Sequence, residues 1–234
     1  MFEKRSTKPE RIDTGDYTQA EYERFLKEIR FINQRLGDSA AMRATLLTDI
    51  ESSDTSEFSV LDVGAGSGEL LSEIADFARR SSRKAHLVGL DLHELSAASI
   101  RDEAKDHPKI RAVRGNALSL PFEDRAFDYS ICSLFTHHLS DEQIPNVLRE
   151  MSRVARRGVV VIDLERSGMA WFLYNLFCFA YRISPLVRED GLLSIRKGFR
   201  VNEFEEIGNA AGMKNVSVER HSPYRVVLKS INLL

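Results

Sequence analysis

The sequence predicts a doubly wound α/β fold, in which a mostly parallel sheet of seven strands carries helices on both faces and ends in an antiparallel hairpin. Three observations predict it. From Phe58 onward, short β-rich apolar runs alternate with helical ones, the signature of βαβ units. The first of these runs feeds a glycine loop, Gly64-Ala65-Gly66-Ser67-Gly68, directly into a helical pattern. Only Ser222 and Pro223 separate the last two strand-like runs, a connection too short for a parallel crossover. At 234 residues, 43% hydrophobic and 29% charged, the chain fits one such domain, because α/β domains run past 200 residues without splitting.

The elements follow in order. Residues 1–17 are polar and carry Pro9 and Gly15, so a flexible arm is expected there, ahead of a single domain over 18–234. Thr18-Gln19-Ala20-Glu21 matches a capping box, and Tyr22, Phe25, Leu26, Ile29, Ile32 and Leu36 follow at helical spacing. The helix is expected to stop near Gly37, with a second from Ser39 to Ile50 and a Ser/Asp/Thr linker at 52–56. These helices, 18–57, precede a core over 58–166 with strands at 58–63, 86–91, 110–114, 127–133 and 158–164. Helices are expected near 67–80, 93–106 and 140–156, the last opening on a second box, Ser140-Asp141-Glu142-Gln143. An insertion at 167–199 begins apolar and ends with Arg188, Glu189, Asp190, Arg196 and Lys197, and it is expected to form a helical lid. In 200–234, Asn202 to Glu205 is read as the cap of a helix ending at Gly212, followed by strands at 214–221 and 224–231.

Composition excludes several classes of function. A net charge of -2 supplies no global field to hold nucleic acid, and the local run Arg79, Arg80, Arg83 and Lys84 suits a helix C-terminus. Cys132 and Cys178 lie far apart in apolar runs, which suggests neither a disulfide framework nor a cysteine metal site and points to a reducing, cytoplasmic setting. The first residues lack the apolar core of a secretory signal. The most apolar stretch, 169–181, falls short of the about 20 residues that cross a bilayer, so no span is expected, although docking at a membrane surface is compatible with it.

The glycine loop admits two cofactor classes. Tight strand-to-helix turns use glycine for positive φ and for close approach of a ligand to the backbone. A dinucleotide site wants a third glycine where this chain has Glu69, and a carboxylate in the first helical turn sits badly beside a pyrophosphate. Asp62, just before the loop, favours a cofactor with a cationic ammonium group and no phosphate. The pattern Asp62-x-Gly64-x-Gly66-x-Gly68 resembles motif I of class I S-adenosylmethionine (SAM) dependent methyltransferases. The second strand ends in Asp91, able to accept from both ribose hydroxyls, as in that family's second motif. Gly115-Asn116-Ala117 follows the third strand where the family usually has Asp at the middle position, so Asn116 is a departure that still offers an acceptor, and a donor besides. Segments 118–128 and 149–163 are similar to the family's fourth-strand approach and to its following helix and fifth strand. The resemblance implies a Rossmann-like sheet, SAM as cofactor, and Asp62, Gly64, Ala65, Gly66, Gly68, Asp91, Leu92, Asn116, Ala117 and Ser133 as cofactor-binding residues.

Methyl transfer from a sulfonium depends mainly on holding the acceptor in line at near-attack distance. The acceptor belongs outside the C-terminal strand ends, where Ser133 to Leu139 emerges from the fourth strand. A hydroxyl acceptor benefits from an imidazole base, which makes His137 and His138 the catalytic candidates, His138 slightly favoured. Asp141 and Glu142 fit the helix cap better than a metal site with these histidines, and no metal is expected. The aromatic lid, with Trp171, Phe172, Tyr174, Phe177 and Phe179, suits a small apolar or aromatic acceptor, expected to be O-methylated: a phenol, quinone precursor, polyketide or lipid-like alcohol. Arg30 is placed to reach the SAM carboxylate or to lie on the surface. Two other readings stand beside this one. One is a nicotinamide-dependent oxidoreductase. The other is a non-catalytic partner protein of the same fold, whose lid forms an oligomer interface such as a homodimer.

Overall fold

The computed structural model describes residues 2–33, 35–107 and 109–231. Residues 2–17 depart from the loose arm expected of them. They lie along the insertion, with a short helix α1 (Arg11–Thr14). Arg166 Nε donates to the Phe2 carbonyl at 3.0 Å, Arg5 Nε to the Lys197 carbonyl at 2.8 Å, and the Arg11 and Ile12 amides to the Asp190 carboxylate at 2.9 and 3.0 Å. The arm's polarity serves charged partners more than 160 positions away in sequence, which local composition does not register.

Helix α2 (Gln19–Asn33) opens on the expected box, with Thr18 N donating to Glu21 Oε2 at 2.8 Å and Glu21 N to Thr18 Oγ1 at 3.3 Å. Gln34, in the last turn of the expected helix, lies outside the described residues. Gly37 turns the chain at φ +97°, and α3 (Asp38–Met42) continues through a π-helical turn, Arg43–Leu47, into α4 (Thr48–Ser52).

The sheet comprises β1 (Glu57–Val63), β2 (Lys84–Asp91), β3 (Ile110–Arg114), β4 (Phe127–Ser133), β5 (Ala155–Leu164), β6 (Val216–His221) and β7 (Arg225–Ile231). Its order is β3-β2-β1-β4-β5-β7-β6, with β7 antiparallel to β5 and β6. Side chains alternate between two cores. Leu61, Val63, Cys132, Val159 and Val161 face one, while Phe58, Val60, Tyr129, Ile131, Val160 and Ile162 face the other. Helices α5 (Glu69–Arg80), α6 (Glu94–Asp106) and α7 (Gln143–Val154) cover these faces.

Three boundaries move from expectation. Strand β5 begins at Ala155 because Ala155 pairs with Phe127, so α7 stops short of 156. The box at Ser140 forms, Gln143 N donating to Ser140 Oγ at 3.3 Å and Ser140 N to Gln143 Oε1 at 3.1 Å, but it precedes a helix that starts at Gln143. The cap of α10 (Val201–Ala210) is Arg200, whose amide donates to Glu203 Oε2 at 3.1 Å; Asn202 is already helical.

The insertion folds as two helices, α8 (Gly168–Ala180) and α9 (Pro185–Lys197), packed with α2 through Ile32, Ala170, Tyr174, Cys178, Val187 and Ile195. Close approach depends on Gly191, where a Cβ would fall 2.2 Å from Tyr174 Oη, the atom that donates to the Val187 carbonyl at 3.0 Å. Gly191→Ala is therefore expected to destabilise the protein by about 1–3 kcal/mol through overpacking, read as a lower urea midpoint with an unchanged m-value. An unchanged midpoint would show that α8 and α9 have room to separate.

Candidate active site

The sheet order reverses between the paired strands β1 and β4, and a cleft of about 1700 Å³ opens beyond their C-terminal ends. At its floor the glycine loop turns with φ of +72°, +54° and +82° at Gly64, Gly66 and Gly68. A side chain at Gly64 would meet the Phe135 ring at 2.6 Å, whereas above Gly66 nothing lies within 4 Å, which leaves that backbone open to a ligand. Asp91 fixes the loop: its carboxylate accepts from the Gly66 amide at 3.0 Å and from the His93 amide at 2.9 Å.

Asp62 is buried yet lines the cleft, and among the described residues no cation pairs with it. Burial, followed by the charge of Asp91, pushes its carboxyl up to about 7. In the unfolded chain an aspartate titrates near 3.9. The folded, ligand-free protein thus binds the extra proton between those values, and the stability this group contributes is complete below about pH 4 and lost as pH rises through about 7. Asp62→Asn is expected to remove that loss, on the order of 2–4 kcal/mol by pH 8, so thermal unfolding of the variant should vary less between pH 5 and 8 than that of the wild type. Parallel profiles would show that Asp62 is solvated. A cationic ligand beside Asp62 acts in the opposite direction, because it favours the carboxylate.

In the third loop Asn116, expected to accept and also able to donate, is tied to the backbone. Its Oδ1 accepts from the Leu118 amide at 2.9 Å, which leaves one lone pair and the Nδ2 donor available. Ala117 is buried against the core, while Leu92, 58% exposed, forms an apolar ledge on the cleft wall. Ser133, at the end of β4, lines the floor. Arg30 pairs with Glu69 at 2.9 Å, so the helix-opening carboxylate that disfavours a pyrophosphate holds the arginine expected nearer the cofactor.

The two histidines separate sharply in environment. His137 is buried, with Nδ1 2.7 Å from Asp163 Oδ1 and its amide donating to Asp163 Oδ2 at 3.1 Å. Thr136 Oγ1 and the Leu164 amide also donate to Asp163, at 2.5 and 2.7 Å. Burial alone would raise the Asp163 carboxyl, but the His137 ring and these donors outweigh it and hold the group down at about 2. His138 faces acids instead, with Nδ1 3.3 Å from Asp13 and 3.9 Å from Glu10. Burial opposes its proton, yet the Asp13 hydrogen bond and the charges of Glu10 and Asp13 win, so its pKa is raised.

Asp141 and Glu142 are engaged elsewhere, Asp141 by Arg5 and Glu142 by Ser140 Oγ at 2.7 Å. Glu10 replaces them, one of its oxygens lying with a nitrogen of each histidine inside 4.8 Å. The Lys197 ammonium, 3.1 Å from Glu10 and 3.7 Å from Asp13, already supplies a cation to that group. Sequence reasoning missed Glu10, Asp13, Lys197 and Asp163. Only Asp163 left a local signal, an acid closing the apolar run Val159 to Ile162.

Residues 60–158 match a family described as "Methyltransferase domain". The chain is 31% identical over 180 residues to the ubiquinone/menaquinone biosynthesis C-methyltransferase of Bartonella tribocorum, covering 69% of this chain and 66% of that one. It is 31% identical over 121 residues to the demethylmenaquinone methyltransferase of Bacillus licheniformis, covering 52% and 50%. The chain thus spans about half to two thirds of the length of these curated relatives. Among solved structures, a SAM-dependent methyltransferase from Aquifex aeolicus superposes with a TM-score of 0.61 at 16% identity, covering 89% of this chain and 98% of that one. The magnesium protoporphyrin IX methyltransferase of Synechocystis, solved with bound S-adenosylhomocysteine, gives 0.63 at 14%, covering 92% and 95%. At such identities the structures establish the fold.

Proposed function

Because the chain belongs to the class I SAM-dependent methyltransferases, we propose that it moves the SAM methyl group onto an apolar phenolic or enolic acceptor. One observation carries the reading: a single cleft joins the glycine loop, Asp62 and Asp91 to the His137–Asp163 pair. The donor set fits SAM. Asp62 is a buried carboxylate with no cation beside it among the described residues, matching the methionyl ammonium, and the open face of Gly66 lets a ligand approach the loop backbone. Asp91 offers its oxygens to the ribose diol, Leu92 an apolar face to adenine, and Asn116 a donor to a ring nitrogen. Bound there, SAM supplies an electrophilic methyl group on a sulfonium.

We assign the base to His137, reversing the sequence preference for His138. Asp163 accepts a hydrogen bond from Nδ1–H and so sets the tautomer, which leaves Nε2 to take the acceptor's hydroxyl proton. His138 faces Glu10 and Asp13 instead, and the Asp13 hydrogen bond and the charges of both acids favour its protonated form. With that proton on His137 Nε2, the acceptor oxygen would be free to take the methyl group that bound SAM would supply, S-adenosylhomocysteine being the leaving group. The Bartonella tribocorum relative, a C-methyltransferase by name, favours a second reading with the same proton transfer, in which the ring carbon beside the hydroxyl would take the methyl and then lose its own proton to restore the hydroxyl-bearing ring.

Incubation with methyl-labelled SAM and a panel of phenols, hydroquinones and enols is expected to label at least one, and the product's NMR spectrum distinguishes oxygen from carbon. Labelling confined to amines would contradict the proposal.

A further inference from the structure

No charged residue occurs from Gly168 to Tyr181, and on α8 the side chains of Met169, Phe172, Leu173, Leu176 and Phe179 stand between 42% and 81% exposed. Their spacing places them in one stripe, while Ala170, Tyr174 and Cys178 are the buried side chains of the same helix. Apolar stripes of this extent mark contact surfaces. The stripe reaches the cleft, since Leu173 lines it together with Leu26 of α2, itself exposed.

Charge indicates the occupant. Exposed cations gather where α2 meets the C-terminal end of α8. Arg24 donates to the Arg182 carbonyl at 3.2 Å, Lys27 lies almost one helical turn further along α2, and the Arg35 guanidinium sits 3.7 Å over Phe31. Phe31 packs in turn against Phe177 and Tyr181 at 6.1 and 5.3 Å between centroids. Of the acids of α2, Glu28 pairs with Arg24, Glu21 lies 3.7 Å from Arg11, and Glu23 accepts from the neutral Gln19, so the cations this flank presents are Lys27, Arg35 and Arg182. Two copies packed stripe to stripe would bring these cations toward each other, whereas an anionic lipid surface complements both the stripe and its flank.

We propose that α8 docks on an anionic lipid surface, its apolar stripe in the headgroup boundary and Lys27, Arg35 and Arg182 against the headgroups. An acceptor dissolved in lipid then passes along Leu173 and Leu26 into the cleft. That last clause rests on the proposed function; the docking itself does not.

Vesicle cosedimentation tests it, using phosphatidylcholine alone or mixed with phosphatidylglycerol. The intact chain is expected to sediment with the anionic vesicles and to be released by salt. Phe172→Glu combined with Phe179→Glu, neither of which lines the cleft, is expected to cut partitioning about tenfold or more. The same variant should keep SAM affinity and turnover of a water-soluble acceptor, and lose turnover of one dissolved in vesicles. Absence of partitioning by the wild type, or partitioning indifferent to the variant, overturns the proposal. So does concentration-dependent dimerisation that the variant abolishes without any vesicle binding, which would assign the stripe to a second copy. A protein that binds vesicles but not SAM would refute the proposed function alone.

Discussion

Replacing His137 with Asn is expected to lower kcat for a hydroxyl acceptor by about a hundred- to ten-thousandfold, the usual worth of a positioned general base. The expectation follows from the geometry around Asp163. Three donors besides the His137 ring converge on that buried carboxylate, so it stays ionised and keeps Nδ1 as the protonated nitrogen. Asn retains a polar group of similar reach but has no nitrogen that accepts a proton, so the loss falls on kcat while SAM affinity and the thermal midpoint serve as controls for folding. Asp163→Asn is expected to lower kcat in the same direction, because the carboxamide no longer selects the tautomer. His138→Asn should cost little by comparison. If His138→Asn lost as much kcat as His137→Asn, the assignment of the base to His137 would fail; if neither lost any, positioning alone would carry the transfer.

The second large effect concerns Asp91. Asp91→Ala is expected to weaken SAM binding about a hundredfold or more, since charge-assisted hydrogen bonds contribute about 1.5–3 kcal/mol each and a ribose diol engages two hydroxyls. The same substitution frees the Gly66 and His93 amides, which lets the loop relax from the conformation that opens above Gly66. Asp91→Asn keeps an acceptor for one amide and should fall between the two. Calorimetric titration measures all three. Equal affinity in wild type and Asp91→Ala would mean that the ribose lies elsewhere.

The sequence was most readable where function depends on neighbouring residues. The run from Asp62 to Gly68 needs positive φ and close backbone approach at fixed positions, so its glycines declared the turn, and the structure places φ above +50° at all three. Alternating strands and helices declared the sheet, and the two-residue gap at Ser222 and Pro223 declared the final hairpin. The lid declared itself as apolar without revealing that one face of α8 stays exposed, because an unbroken apolar run has no polar stripe to mark an outer side. Least readable was the arm. Glu10 and Lys197 are 187 positions apart and look like solvated charges in sequence, yet they lie buried together beside His138. Ranking the two histidines required that contact and the Asp163 contact, neither of which local pattern encodes.

Titration of the purified chain with SAM by calorimetry, alongside NADH, tests the central claim most directly. The account predicts one saturable site per chain for SAM and for S-adenosylhomocysteine, weakened by Asp62→Asn at pH 8 and by Asp91→Ala, with no heat from NADH. A flat SAM titration beside a saturable NADH one would contradict it.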